Sequence, residues 1–116
     1  MLMKTHTLFM LTPWTEDGQG PYYCPDCGVV EGFFVYSPAA RVDLDIIHVD
    51  FQRPRKAVVD ALGEENQSCP VLVLAQGTSL PAAAKKSLTT GRAFIDDPIA
   101  ICNFLGVTYG GVLPHP

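Results

Sequence analysis

The sequence predicts an α/β fold, a mixed four-stranded sheet flanked by helices in the order β-α-β-α-β-β-α. Short apolar runs bounded by proline or turn residues are typical of buried strands. Between these runs, apolar residues recur at helical spacing, and prolines stand where helices should begin. The first strand, helix and second strand form a βαβ unit, so those two strands should be parallel with a right-handed crossover.

Length and composition indicate one globular domain spanning residues 1–116. The chain is 47% hydrophobic and 17% charged, which suits a core that needs no metal or disulfide. A net charge of -4 argues against nucleic acid or an anionic membrane as the partner. The longest apolar runs fall far short of the ~20 residues of a membrane span. The apolar run at residues 8–11 is too short for a signal peptide, so we expect a cytoplasmic location.

In the first half, residues 7–11 form an apolar run that predicts the first strand. Residues 12–23 are rich in glycine, proline and acidic side chains and predict a loop. A helix should run from residue 24 to about 36, with proline at its first helical position. The next strand should occupy residues 42–51.

In the second half, residues 54–63 predict a helix that opens with proline and ends at glycine. Residues 70–75 are apolar throughout, as expected for a strand covered on both faces. The pattern over residues 76–91 is weak. Residues 92–95 predict the last strand, in a hairpin with the third, and Asp97 should cap a final helix.

The chemistry is expected at Cys24-Pro25-Asp26-Cys27, which lies between the first strand and the first helix. A cysteine at a helix N-terminus has its thiolate favoured by the helix dipole and by free backbone N–H groups. We therefore expect Cys24 to be the nucleophile and Cys27, one turn further on, to resolve a mixed disulfide. In a reducing compartment, such a close pair indicates catalysis or metal binding.

Cys24 to Cys27, taken with Ser68-Cys69-Pro70-Val71, resembles the redox motif and cis-proline loop of the thioredoxin-like superfamily, in its glutaredoxin form. The pattern also resembles a small family of bacterial proteins thought to share that fold. The resemblance implies a thiol–disulfide oxidoreductase with a cis Pro70 that aligns the substrate. Its partner would be a disulfide-containing protein or glutathione as co-substrate, with no bound cofactor. Cys69 would then lie near Cys24, as a third redox thiol, a third metal ligand or a small buried hydrophobe.

Residues 94–100 resemble a segment of glutathione transferase N-terminal domains that holds the γ-glutamyl group. The resemblance implies that Asp96 faces the glutamyl amine and that backbone N–H groups near Asp97 face its carboxylate. Asp97 replaces the serine of that pattern, and helix capping explains it equally well. Tyr22, Tyr23 and Trp14 are expected to form an apolar lip beside the cysteines, or Trp14 to anchor the loop.

Two other functions remain open. A non-catalytic interaction module would use the loop at residues 12–23, and a metal-binding protein would use Cys24, Cys27 and Cys69. A zinc site usually draws on two close ligand pairs, and the sequence offers one. His48 and Cys102 should be packed residues, whereas His6 and His115, near the termini, should be solvated. The basic run at residues 53–56 should be a solvated face. No phosphate loop or hydrolase triad is present in the sequence.

Overall fold

The structure is a computed structural model that describes residues 5–116, so residues 1–4 of the predicted domain lie outside the described residues. In chain order the elements are β1 Thr7–Leu11, β2 Trp14–Glu16, β3 Gln19–Tyr22, α1 Pro25–Tyr36, α2 Pro38–Val42, β4 Asp45–Val49, α3 Lys56–Leu62, β5 Val71–Val73, β6 Lys85–Lys86, β7 Ala93–Ile95 and α4 Pro98–Tyr109.

The described residues form a mixed five-stranded sheet in the order β4-β1-β5-β7-β6. β1 runs parallel to β4, whereas β5 is antiparallel to both β1 and β7. The predicted α/β fold with helices around a mixed sheet is therefore confirmed. The predicted count of four strands is wrong, because β6 adds a short edge strand beside β7. Both β6 residues are exposed lysines, so no apolar pattern marked them as a strand.

The sheet separates two apolar clusters, because successive side chains of a strand point to opposite faces. Leu8, Met10 and Leu72 pack with α1 and α4 in the larger cluster. Phe9 and Val71 pack with α3 in the smaller one. Coverage on both faces explains why β1 and β5 read as continuous apolar runs.

The prediction of a loop before the cysteines is wrong. β2 and β3 pair there as an antiparallel hairpin, which forms a two-stranded sheet separate from the main one. Asp17 and Gly18 form the turn with φ of 50° and 75°, the left-handed values that a two-residue Asp-Gly hairpin turn uses. All four residues of β3 are exposed, so the usual alternation of apolar and polar residues is missing. The Asp-Gly pair was the one sequence feature that could have predicted this hairpin.

Helix positions are largely as predicted. Cys24 caps α1 and Asp97 caps α4, and Gly110 ends α4 in the left-handed region. α3 begins at Lys56 rather than at residue 54. The short helix α2 takes up the start of the predicted second strand, which begins only at residue 45.

Two histidine interpretations are corrected. His6 is not solvated: its Nδ1 accepts a hydrogen bond of 2.9 Å from the backbone N–H of Ala75. Its ring also meets Phe104 edge-on, with centroids 5.2 Å apart. His48 is exposed on the edge strand β4 instead of packed. Within residues 5–116, no helix combines the length and apolar character needed to cross a bilayer.

Candidate functional site

A cleft of ≈ 620 Å³ opens at the N-terminus of α1. Its walls come from the end of β1, the start of α1, the loop before α3, the residues before β5 and the start of α4. Five of the residues predicted for the site line it, namely Cys24, Cys69, Pro70, Asp96 and Asp97. The fold therefore gathers into one cleft residues that are more than seventy positions apart in the sequence.

Cys24 lies at the N-cap of α1, where helix N–H groups have no partner within the helix. Its Sγ accepts a hydrogen bond of 3.2 Å from the backbone N–H of Cys27. The same sulfur lies 3.8 Å from the carbonyl oxygen of Cys69, to which the thiol donates. Cys24 is only 8% exposed, so the cleft is where it meets solvent.

Cys27 lies behind Cys24 and faces the core rather than the cleft, with 5% of its surface exposed. The backbone N–H of Leu11 donates to its Sγ over 3.5 Å. Burial, reinforced by the hydrogen bond with Cys24, raises the pKa of Cys27 to about 12. This thiol is therefore protonated at neutral pH.

Cys69 is half-buried in the cleft and precedes Pro70 through a cis peptide bond, the geometry that the resemblance implied. Burial raises the pKa of Cys69 to about 11, and the positive charge of Arg55 opposes that rise. Arg55 and Cys69 line the same cleft. Cys69 is thus a partly buried thiol that packs against both apolar clusters and lies near the positive charge of Arg55.

Arg55 overturns the prediction that the basic run at residues 53–56 is a solvated face. Its side chain is buried, with only 7% exposed, although Arg53 and Lys56 are exposed as predicted. Its guanidinium donates to the carbonyl oxygen of Phe51 at 3.0 and 2.7 Å and to that of Gln67 at 2.9 Å. Within the part of the chain that the structure describes, no carboxylate forms an ion pair with Arg55.

Trp14 forms an aromatic wall of the cleft with Phe51. Their rings stack with centroids 4.3 Å apart and planes 10° apart, and Tyr22 tilts against Trp14. Tyr23 departs from the predicted lip, because it is 72% exposed and lies over Gly28 on α1. The hairpin thus supplies the wall, which sequence reasoning could not place once the segment was taken as a loop.

The two aspartates predicted to hold a glutamyl group already have partners. Lys85 on β6 lies 3.1 Å from the carboxylate of Asp96. Asp97 accepts a hydrogen bond of 2.8 Å from the backbone N–H of Ala100, which is the capping role that the sequence offered as an explanation. An ammonium group of the protein therefore faces Asp96, where the resemblance implied the amine of a ligand.

A metal centre finds no support in residues 5–116, where no group of three or more His, Cys, Asp or Glu side chains is arranged to hold an ion. Cys102 is 1% exposed, and its thiol lies 3.9 Å from the carbonyl of Val29, on the far side of α1 from the cleft. Three of the four cysteines therefore belong to the site and the fourth belongs to the core.

Residues 5–113 match the family model described as "Protein of unknown function (DUF3088)". The chain belongs to this family. The match runs from before β1 to beyond α4, so it contains the whole cleft of this DUF3088 protein, with Cys24 and Cys69 in its lining and Cys27 behind it. No curated protein and no solved structure matches the chain.

Proposed function

We propose that this DUF3088 protein is a thiol–disulfide oxidoreductase, with Cys24 as the nucleophile and Cys27 as the resolving thiol. One observation carries the proposal. The sulfur of Cys24 caps α1 at the wall of an open cleft, and Cys27 lies buried directly behind it, bonded through its N–H to that sulfur.

We infer further that the fold is thioredoxin-like. Strand order β4-β1-β5-β7, with α1 joining two parallel strands and a cysteine at its N-terminus, supports this inference. The position of Pro70 in the cleft beside Cys24 supports it as well. The edge strand β6 and the hairpin β2–β3 are additions to that core.

The reaction has two exchange steps. The thiolate of Cys24 attacks one sulfur of a substrate disulfide, so that a new S–S bond forms and the other substrate sulfur leaves as a thiolate that takes up a proton. Cys27 then loses its proton and attacks the Cys24 sulfur, releasing the second substrate thiol. In sum, two protein thiols become one disulfide and the substrate gains two electrons and two protons.

The helix start serves the first step, because the Cys27 N–H that bonds the Cys24 sulfur stabilises negative charge there. The cleft, which the aromatic wall and Arg53 line, is open to a disulfide group carried by a peptide or a small thiol. In the cytoplasm, the location that the sequence predicts, reduced thiols would return the pair to its dithiol form.

A single-turnover experiment tests the proposal. Reduced protein is mixed with bis(2-hydroxyethyl) disulfide, and release of mercaptoethanol is followed against the intact mass of the protein. Wild-type protein and the control Cys102→Ala should release two mercaptoethanol molecules per chain, and Cys24→Ser should release none. Equal release by Cys24→Ser and the control would refute the assignment of Cys24.

The hairpin favours a second candidate, a non-catalytic interaction module. β3 is exposed throughout, and within residues 5–116 it pairs only with β2, which leaves its other edge free to add a strand from a partner. This candidate predicts that Cys24→Ser keeps the protein functional in its host, whereas Tyr22→Ala abolishes function. The oxidoreductase predicts loss of function with Cys24→Ser.

A further inference from the structure

The cleft holds one thiol that the proposed reaction does not use. We propose that Cys69 is a second resolving thiol, which attacks the mixed disulfide on Cys24 and forms a Cys24–Cys69 disulfide. The inference rests on the proposed function, because it needs a mixed disulfide at Cys24. It assigns the protein two alternative oxidised forms that share one nucleophile.

Position is the first support. Cys24 and Cys69 line the same cleft, and the sulfur of Cys24 lies 3.8 Å from the Cys69 carbonyl oxygen. A substrate group attached to Cys24 must extend into this cleft, so Cys69 is the thiol on the substrate's side. Cys27 approaches the same sulfur from the core side.

Charge is the second support. Arg55 is buried in the cleft that Cys69 lines, and its positive charge opposes the rise in the pKa of that thiol. It forms no ion pair with any carboxylate among residues 5–116, and Arg53 adds a second cation in the cleft. A thiolate formed at Cys69 therefore meets a guanidinium. The groups that shift the pKa of Cys27, by contrast, are the Leu11 backbone and the thiols of Cys24 and Cys69.

The pKa values agree with this difference. Burial raises the pKa of both thiols, to about 11 for Cys69 and to about 12 for Cys27. The positive charges of Arg55 and Arg53 oppose the effect of burial at Cys69, which favours its thiolate. Lower basicity makes the thiolate a weaker nucleophile, which returns only part of that advantage. Cys69 therefore competes with Cys27 for the first mixed disulfide.

The chemistry balances without a further reagent. The mixed disulfide of Cys24 and the thiol of Cys69 give the Cys24–Cys69 disulfide and one free substrate thiol, with the proton of Cys69 passing to the departing sulfur. Cys27 can then attack Cys24 and release Cys69 unchanged, which yields the same final pair. Cys69 thus frees the substrate before the buried thiol has reacted.

The test removes the competing thiol. Reduced Cys27→Ser protein is treated with bis(2-hydroxyethyl) disulfide, and its intact mass and non-reduced peptide map are recorded. We expect the mercaptoethanol adduct to disappear, the mass to fall by two hydrogens, and peptides containing Cys24 and Cys69 to be linked. The control Cys27→Ser/Cys102→Ala should behave identically, and Cys27→Ser/Cys69→Ser should retain the adduct on Cys24.

The outcomes separate this inference from the proposed function. A lasting adduct on Cys24 in Cys27→Ser, equal to that in Cys27→Ser/Cys69→Ser, would overturn the role of Cys69 and leave Cys24 as the nucleophile. A disulfide to Cys102 would overturn it too. Absence of any adduct on Cys24 in the variant lacking both Cys27 and Cys69 would overturn the proposed function itself.

Discussion

Replacing Arg55 with methionine should destabilise the protein strongly, because one buried guanidinium joins two loops. Its Nε and Nη2 donate to the Phe51 carbonyl after β4, and its Nη1 donates to the Gln67 carbonyl before β5. Methionine fills most of the volume but donates no hydrogen bond. The backbone bond from the Arg55 N–H to the Gln67 side chain, 2.7 Å long, remains available to the variant.

The magnitude follows from the two carbonyls that lose their donor. A buried acceptor left without a partner costs about 1–3 kcal/mol, and both carbonyls are partly buried, so Arg55→Met should lower the free energy of unfolding by about 2–4 kcal/mol. With a urea m-value of about 1.5 kcal/mol/M, the unfolding midpoint falls by about 1–3 M. This loss is a large part of the stability of a small domain.

Urea unfolding followed by circular dichroism measures the effect. Arg53→Met is the matched control, because Arg53 is exposed two residues away and an exposed substitution changes stability by about 0.5 kcal/mol or less. Equal midpoints for the two variants would refute the claim that Arg55 holds the loops. In the Cys27→Ser background, Arg55→Lys should keep a positive charge near Cys69 but lose the planar set of N–H donors of the guanidinium. This variant therefore separates the effect of the charge from the effect of the hydrogen bonds.

The remaining stability predictions use the same unfolding assay. Gly32→Ala should stabilise α1 by about 0.5–1 kcal/mol since a Cβ there meets nothing within 4 Å, whereas Gly106→Ala should cost about 1–3 kcal/mol because its Cβ would press on the Val112 carbonyl. Asp97→Ala should cost about 1 kcal/mol through the lost cap, with Asp97→Asn largely retaining it; equal losses would contradict the capping role. Burial lowers the pKa of His6 from 6.5, so its stabilising contribution is complete above that pH and is lost as pH falls through the folded pKa. The midpoint difference between wild type and His6→Gln should therefore shrink on acidification, and a constant difference would contradict it.

Local patterns carried much of the fold. Pro25 and Pro98 stand at the first helical positions of α1 and α4, and the apolar runs of β1 and β5 reflect strands covered on both faces. β6 was not predicted, because both of its residues are exposed lysines that pair with β7 through the backbone. A strand without apolar alternation has no sequence signature, and tertiary pairing decides it.

The site was only partly predictable for a related reason. Cys24 and Cys27 are close in sequence and share a helix start, so their relation follows from local geometry. The burial of Arg55 could not be predicted, because it depends on backbone carbonyls from two loops, four and twelve residues away. Only the tertiary fold brings these two loops together. Trp14 joined the site only through the hairpin that stacks it on Phe51.

Thiol counting across a redox series tests the central claim most directly. The protein is equilibrated with mixtures of reduced and oxidised dithiothreitol, its free thiols are alkylated, and the alkylated cysteines are mapped by mass spectrometry. We predict a reversible loss of two thiols with Cys24 in every disulfide, an unchanged response in Cys102→Ala, and no loss in Cys24→Ser. Four alkylated cysteines at every mixture would contradict the account.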